Sequence, residues 1–300
     1  MTSINKIFKN KRLTQALTGI SEKEFNALIP VFTQSVEEDN RLRSKAKKRH
    51  FGGGAKGKLV TMEDKLFFTL VYMKTYPTFD FLGFVFDMHR SRAHRNIVKL
   101  TKSLEKALGR KIVMPEKQIR NLDEFLEKFP EAKDIFVDGV ERPIQRPKDK
   151  KKQNKLYSGK KKRHMKKSII VVDEKKKVLI LTKTKSGRRH DKRLADKDRL
   201  FEKIPEEVAV WTDTGFQGIL KQHTNTLIPK KATRGKGLTH EEKQENMVIS
   251  SFRVVVEHAI SGIKRFKAYA DVWRGRLQEF DDKIMRIAGG LWNLHIEMTA

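Results

Sequence analysis

Two aspartates and one glutamate are the residues of this chain whose types and spacing could carry out chemistry. Asp138 and Asp213 each directly follow a short apolar run, and Glu257 comes later, in a helical pattern. Carboxylates at strand ends can meet at one edge of a sheet, and a packed helix can bring a third to them. Such hard oxygen ligands suit Mg²⁺ or Mn²⁺. Two such ions can activate a water or a 3′-hydroxyl for in-line phosphoryl transfer.

The segment around Glu257 predicts an amphipathic helix over residues 253–264. At about 100° per residue, Arg253, Glu257 and Lys264 fall on one polar stripe. An apolar stripe lies beside it, formed by Phe252, Val256, Ala259, Ile263 and Phe266. Taken alone, this pattern is more typical of a salt-bridged helix surface without chemical function. The upstream aspartates and the charge of the chain favour the chemical interpretation.

The elements between the acidic residues predict an α/β domain. The order is a strand at 135–137 ending at Asp138, a hairpin of SIIVVD and KVLILTKT, a helix, the strand EVAVWTD and a short strand TLIP. Asp191 stands where the helix begins, and the simplest interpretation is a helix N-cap. A direct chemical role for Asp191 is the alternative. A final packing helix follows the segment that carries Glu257.

The charge of the chain indicates its partner. Sixty-six Lys and Arg against 37 Asp and Glu give a formal charge of +29, spread over the whole chain. Nucleic acid is favoured over a membrane surface, because each neutralised phosphate releases counterions. The chain has no cysteine, which excludes disulfides and thiolate zinc sites. No apolar run approaches the roughly 18 residues that span a bilayer, and no signal peptide is recognisable. We therefore expect a cytoplasmic, nucleoid-associated protein without a membrane partner.

Helical patterns between residues 61 and 108 predict a helix-turn-helix. An apolar helix ends before Pro77, and a short helix, a tight turn and a longer basic helix follow. Arg90, Arg92 and Arg95 lie near the start of the last helix, where such helices reach base edges in the major groove. The alternative is a generic helical bundle with a solvated basic face. Pro30 should kink or divide an earlier helix that begins at a capping box of Ser21 and Glu24.

Two further basic segments are candidate DNA contacts. Lys160 and Lys161 lie in a dense basic run, and Tyr157 and Gly159 interrupt that run in a way that predicts a structured turn along a nucleic-acid backbone. A solvated, mobile run is the alternative. The second segment, from Gly52 to Lys58, has the spacing of a phosphate-binding loop. Leu59 stands where Ser or Thr must hold magnesium, and no strand precedes the segment, so we expect a loop that touches DNA phosphates and binds no nucleotide.

With these motifs, nearly the whole chain resembles the DDE transposases of bacterial insertion sequences, in the group allied to Harbinger-type elements. The segments IFVDGVERPIQRP, YSGKKKRH, GRRHD and VWTDTGFQG match successive blocks of the family's catalytic domain. Arg253, Glu257 and Lys264 match its end motif, Tyr-x₂-Arg-x₃-Glu-x₆-Lys, whereas Ser250 replaces the tyrosine. The resemblance implies a ribonuclease H-like α/β domain, a central mixed sheet with flanking helices, after an all-α helix-turn-helix domain. The expected divisions are 1–58, 59–114 and 115–300.

The resemblance also implies roles for individual residues. Asp138, Asp213 and Glu257 would bind two Mg²⁺ or Mn²⁺ ions and catalyse DNA cleavage and strand transfer. Arg253 and Lys264 would contact DNA phosphates near the cut. The partners would be double-stranded transposon ends and target DNA, held by a homodimer or a larger synaptic complex. The alternatives are a metal-dependent endonuclease without strand transfer and a domesticated DNA-binding protein.

Overall fold

The computed structural model describes residues 7–47, 57–235 and 237–299. Much of the phosphate-loop-like segment, including Gly52, lies outside the described residues. The chain divides into two compact units. The first unit holds the described residues up to Met114 together with 263–271 and those from Gly275 onward, and the second holds 115–262 and 272–274. The division expected from the sequence, 1–58, 59–114 and 115–300, stays a prediction.

The helices and strands are numbered in chain order. The helices are α1 (Lys11–Thr18), α2 (Glu22–Lys47), α3 (Met62–Thr75), α4 (Phe79–Val85), α5 (Arg90–Arg110), α6 (Leu122–Lys128), α7 (Lys150–Leu156), α8 (Asp191–Asp198), α9 (His240–Phe252), α10 (Val254–Lys264), α11 (Lys267–Ala270) and α12 (Phe280–Thr299). The strands are β1 (Asp134–Pro143), β2 (Tyr157–Ser158), β3 (Arg163–Asp173), β4 (Val178–Leu181), β5 (Lys185–Ser186), β6 (Ala209–Thr212) and β7 (Thr226–Leu227). No helix among the described residues is long and apolar enough to cross a membrane.

The first unit is helical, and α2 begins at the predicted capping box. The Ser21 amide donates to Glu24 Oε2 at 2.7 Å, and the Glu24 amide donates to Ser21 Oγ at 3.3 Å, which satisfies two backbone donors that the helix itself cannot. Pro30 lies inside α2, which continues through it, so the helix is not divided, and the alternative that the sequence allowed, a kink at Pro30, stays a prediction. Proline removes one helical hydrogen bond, and the fully buried side chains of Leu28 and Phe32 hold α2 in the core on both sides of it.

The helix-turn-helix is formed by α4 and α5, with α3 before them. A capping box of Thr61 and Asp64 starts α3, and Tyr76 ends it in the left-handed conformation before Pro77, as predicted. The turn between α4 and α5 is tight, because a Cβ on Gly83 would lie 2.5 Å from the Met88 carbonyl oxygen. The predicted short helix, turn and basic helix are therefore confirmed.

In the second unit, the described strands form one mixed sheet in the order β2-β3-β1-β6-β7, with β4 and β5 also paired to β3. The β1, β3 and β4 strands are antiparallel neighbours, and the predicted β3–β4 hairpin is confirmed. The pairings of β1 with β6 and of β6 with β7 are parallel. The predicted α/β class, with helices packed on a mixed sheet, is confirmed.

Strand β1 is longer than the apolar run predicts. It pairs with β3 from Ile135 to Pro143, so Asp138 lies within the strand, opposite Ile170, and the prediction that the strand ends there is wrong. The reason is tertiary, because a long antiparallel partner satisfies the backbone of a polar segment that has little strand pattern of its own. Ile135 and Val137 alternate inward and are fully buried with Leu194 of α8 and Phe125 of α6 in one apolar core.

Candidate active site

Asp138 and Asp213 are neighbours across the parallel pair β1 and β6. The last registered pair of these strands is Val137 with Thr212, and each aspartate is the next residue of its chain segment, Asp138 within β1 and Asp213 directly after β6. The Asp138 side chain accepts from the Gly139 amide at 2.6 Å. Asp213 caps the turn that follows it by accepting from the Gly215 amide at 2.9 Å. Strand register thus brings together the two acids that the sequence expected to meet, although one lies inside its strand.

The negative charge of the Asp138 carboxylate is only partly neutralised by its surroundings. Burial raises the pKa of Asp138 from 3.8 to about 6, the Arg253 guanidinium opposes this effect, and the carboxylates of Asp213 and Asp191 add to it. Only 20% of the Asp138 side chain is exposed. Buried like charges are costly unless a cation neutralises them. Hard oxygen donors in this electrostatic state fit a divalent cation, which would relieve the repulsion.

Arg253 provides one positive charge at this point. Its Nη2 donates to Asp138 Oδ2 at 3.2 Å. Aromatic contacts connect the residue before Arg253 to β1, because the Phe252 ring lies 4.8 Å from Trp211, and Trp211 is stacked 6.0 Å from Phe136. Asp138 lies on the same face of β1 as Phe136, two residues further on. Phe252, expected to be a buried member of the apolar stripe, is 50% exposed, because it ends α9 before the helix break at Arg253, apart from the buried stripe residues that follow.

Asp191 does not cap α8 and lies beside the two other aspartates. His190 occupies the N-cap position, and Asp191 is the first helical residue, so the N-cap prediction is wrong. A Cβ on Gly139 would lie 2.2 Å from Asp191 Oδ1, and a Cβ on Gly215 would lie 3.4 Å from Oδ2. The glycines that follow Asp138 and Asp213 therefore leave the space that this carboxylate occupies. Burial is the main cause that raises the pKa of Asp191.

Lys167 on β3 joins this cluster, and sequence reasoning missed it. Its Nζ lies 3.2 Å from Asp191 Oδ1 and 3.2 Å from Glu141 Oε1. Glu141 of β1 is directly opposite Lys167 in the antiparallel register. The sequence contains the oppositely charged residues Glu141 and Lys167, but their pairing can be recognised only when the register of β1 with β3 is known. Lys167 holds the Asp191 carboxylate with a salt bridge that is largely shielded from solvent.

Glu257 is exposed in the first turn of α10. The helix break before it falls at Arg253, and the predicted apolar stripe is buried at Val256, Ala259, Ile263 and Phe266. Within the described residues, no group of three or more His, Asp or Glu side chains is arranged to hold a metal ion. The structure thus brings Asp138, Asp213 and Asp191 close to one another, and Glu257 stays a prediction as their metal-binding partner.

The predicted DNA contacts lie on exposed surfaces. Arg92 and Arg95 are exposed in the first turns of α5, and Arg90 Nη1 lies 3.7 Å from Asp80 Oδ1. Lys160 and Lys161 are exposed in the turn between β2 and β3, and the Lys161 amide donates to Ser158 Oγ at 3.3 Å. The predicted structured turn is confirmed, whereas its contact with DNA stays a prediction. Lys264, at the end of α10, is exposed, as is Ser250 on α9.

Comparison with known proteins identifies the family. A family described as DDE superfamily endonuclease matches residues 137–294, and the helix-turn-helix of DDE superfamily endonuclease matches residues 57–109. A probable transposase for insertion sequence element IS702 from Microchaete diplosiphon is 30% identical over 300 residues, which cover 98% of this chain and 100% of that protein. No solved structure matches the chain. The Harbinger-like subgroup stays a prediction. The chain belongs to the DDE superfamily endonucleases, with a helix-turn-helix before the nuclease domain, and is related throughout its length to an insertion-sequence transposase.

Proposed function

We propose that this protein is a cut-and-paste transposase that binds the terminal inverted repeats of its own element, cleaves the DNA there and joins the freed ends to target DNA. The observation that carries the proposal is the pair Asp138 and Asp213, side by side on parallel strands with a buried, insufficiently neutralised carboxylate. A structural ion pair alone would not need two adjacent, partly buried acids where the pairing of two parallel strands ends. The name of the relative, a probable transposase, supports strand transfer.

Asp138, Asp213 and Glu257 are the proposed ligands of Mg²⁺ or Mn²⁺. When bound, two such ions would supply an activated water or 3′-hydroxyl and neutralise the leaving oxygen. Asp138 and Asp213 would offer hard oxygen donors from a fixed strand pair. Glu257 would offer the third donor from α10, one helical turn beyond Arg253, which already reaches Asp138. This helical spacing supports the choice of Glu257.

The cations of the chain would hold and align the DNA. Arg253 and Lys264 are the proposed phosphate contacts near the cut, and a phosphate arriving beside Arg253 would compete with Asp138 for its guanidinium. Lys160 and Lys161 would contact the backbone from the β2–β3 turn. Arg90, Arg92 and Arg95 would face the repeat from α5, where the first turns of a recognition helix contact DNA.

Transposition requires that two ends of the element be held together. We therefore propose a homodimer or a larger synaptic complex on double-stranded DNA. Transposition would take place in the cytoplasm, at the nucleoid, where the element and its target DNA both lie.

The test is a cleavage and joining assay on a duplex that carries the inverted repeat flanking the coding region. We expect wild type to cut the repeat only with Mg²⁺ or Mn²⁺ and to join the cut end to a target plasmid. Asp138→Ala, Asp213→Ala and Glu257→Ala should bind the duplex without cutting it. Asp123→Ala, an exposed acid on α6, is the matched control and should cut normally. Equal cutting by all variants would refute the site.

The same assay distinguishes the two alternative functions. Cleavage without joined products would identify a metal-dependent endonuclease without strand transfer. Binding of the repeat without cleavage by wild type, in either metal, would identify a domesticated DNA-binding protein. Both results would contradict the proposed transposition.

A further inference from the structure

A basic pocket lies between the segment before α3 and the exposed side of α5, in the first unit. Its volume is about 410 Å³. Lys58, Lys65, Arg92 and Lys99 line it together with Asn96, and no acidic residue is among the described residues that line it. Lys58 is the last residue of the segment that only imitates a nucleotide-binding loop. The pocket therefore gathers four cations from three different parts of the helix-turn-helix unit.

The positive charge in the pocket is only partly neutralised. Lys58 forms an ion pair with Asp87, and the Lys99 ammonium donates to the Asn40 side-chain oxygen, a neutral acceptor. Burial is the largest cause that lowers the pKa of Lys99, and the charges of Arg43 and Lys65 lower it further, against a smaller opposing effect of Asp39. A half-buried ammonium repelled by neighbouring cations is stabilised when an anion enters among them.

The helical spacing aims three polar side chains into the pocket. Arg92, Asn96 and Lys99 follow one another at intervals of four and three residues, which place them on one face of α5. All three line the pocket, whereas Arg95 does not, and the Arg95 Nε instead donates to the Ser91 carbonyl oxygen at 3.3 Å. The pocket therefore lies beside the turns of α5 that were predicted to meet DNA.

We infer that this pocket binds a backbone phosphate of duplex DNA held by the helix-turn-helix, with Lys65, Arg92 and Lys99 around the phosphate oxygens. The inference rests on the proposed DNA binding by the same unit. It assigns Arg92 to the DNA backbone and leaves Arg95 as the candidate for base contact. A phosphodiester is the occupant of choice because the pocket is open to the surface that carries Arg92, where a continuous polyanion can lie across it.

The test compares two double variants of the full-length protein, each lacking two positive charges. Lys65→Gln with Lys99→Gln empties the pocket of its central cations. Lys102→Gln with Lys111→Gln removes two cations of the same helix unit that do not line it. Binding to two labelled duplexes of unrelated sequence is measured over a range of salt concentrations. Thermal unfolding confirms that each variant folds, and Arg92→Gln serves as the second pocket variant.

We expect the pocket variant to weaken binding to both duplexes alike and to lower the slope of log K against log salt by about 0.9, the effect of one lost phosphate contact. Arg92→Gln should also weaken both duplexes alike, and the control should keep the wild-type slope. Equal slopes for pocket and control variants would overturn the inference. Stabilisation of wild type by inorganic phosphate at constant ionic strength, with unchanged DNA slopes, would indicate a free anion and overturn it also. If wild type binds no duplex, the proposed function and the inference are both wrong. If wild type binds and the pocket variants bind equally well, only the inference is wrong.

Discussion

The parallel pairing of β1 with β6 ends at Asp138 and Asp213, and we call this place the strand edge. The strand edge and helix α10 present the proposed catalytic acids in opposite ways. At the strand edge, Asp138 and Asp213 are fixed by backbone register and partly buried, and the charges of Arg253, Asp213 and Asp191 act on Asp138. On α10, Glu257 is exposed and follows a break in the helix at Arg253. The positions of these two acids are therefore set by the fold itself, although burial and the neighbouring carboxylates disfavour the charged form of Asp138. The helix presents Glu257, whose proposed role requires a metal ion and bound DNA.

The largest expected effect is on cleavage at the strand edge. Asp213→Asn keeps the shape of the side chain and its capping oxygen but loses the charge that would bind metal. Loss of several kcal/mol of transition-state stabilisation should slow cleavage by about a thousandfold or more. The measurement is single-turnover cutting of the repeat duplex, with Asp123→Asn as the control. A loss below tenfold would remove Asp213 from the proposed site.

The next effect concerns the free energy of unfolding, which substitutions at the strand edge and on α10 should change differently. Because the folded-state pKa of Asp138 is raised from 3.8 to about 6, the folded protein binds more protons than the unfolded chain between these values, and stability is lost as pH rises through this window. Asp138→Asn should therefore raise the free energy of unfolding at pH 7 in metal-free buffer, by up to about 3 kcal/mol, and remove this pH dependence.

Glu257→Gln is the matched comparison for that experiment. Because the Glu257 side chain is exposed, the substitution should change the free energy of unfolding by less than about 0.5 kcal/mol. Denaturant unfolding between pH 4 and pH 7 measures both variants, with the range taken from the two pKa values of Asp138. Equal stabilisation by the two variants would break the contrast between strand edge and helix.

A third effect probes the packing of Asp191 against the strand edge. Gly139→Ala would place a Cβ 2.2 Å from Asp191 Oδ1, so the carboxylate must move from its position beside Lys167. We expect a loss of about 1–3 kcal/mol in the free energy of unfolding. Gly159→Ala, with open space around the added Cβ, is the control and should lose far less. A harmless Gly139→Ala would show that Asp191 is loosely held.

The smallest effect concerns the link between the two regions. Phe252→Ala removes the ring on Trp211 that precedes Arg253, and because half of that ring is exposed, the expected loss is about 1 kcal/mol of unfolding free energy. Cleavage should fall about tenfold, as Arg253 is held less well. Leu220→Ala, also 50% exposed, should cost similar stability and leave cleavage unchanged. Equal cleavage by the two variants would exclude the aromatic support.

The spacing of apolar residues along the chain predicted many of the helices and strands, whereas other features depend on contacts between distant segments. The β3–β4 hairpin and the helix-turn-helix follow from periodicity and from breaks that the sequence displays. The length of β1 does not, because its polar second half becomes a strand only through pairing with β3. Asp191 was assigned to a helix end by residue type, whereas its position is set by two glycines and Lys167, which come from distant parts of the chain.

The most direct test of the proposed catalytic triad is cleavage of the repeat duplex by Glu257→Gln in the presence of Mg²⁺. The substitution is nearly isosteric and lies on an exposed helical turn, so folding and duplex binding should match those of wild type. We predict that this variant binds the duplex and does not cut it. Cutting at the wild-type rate would contradict the triad and return α10 to an ordinary charged helix.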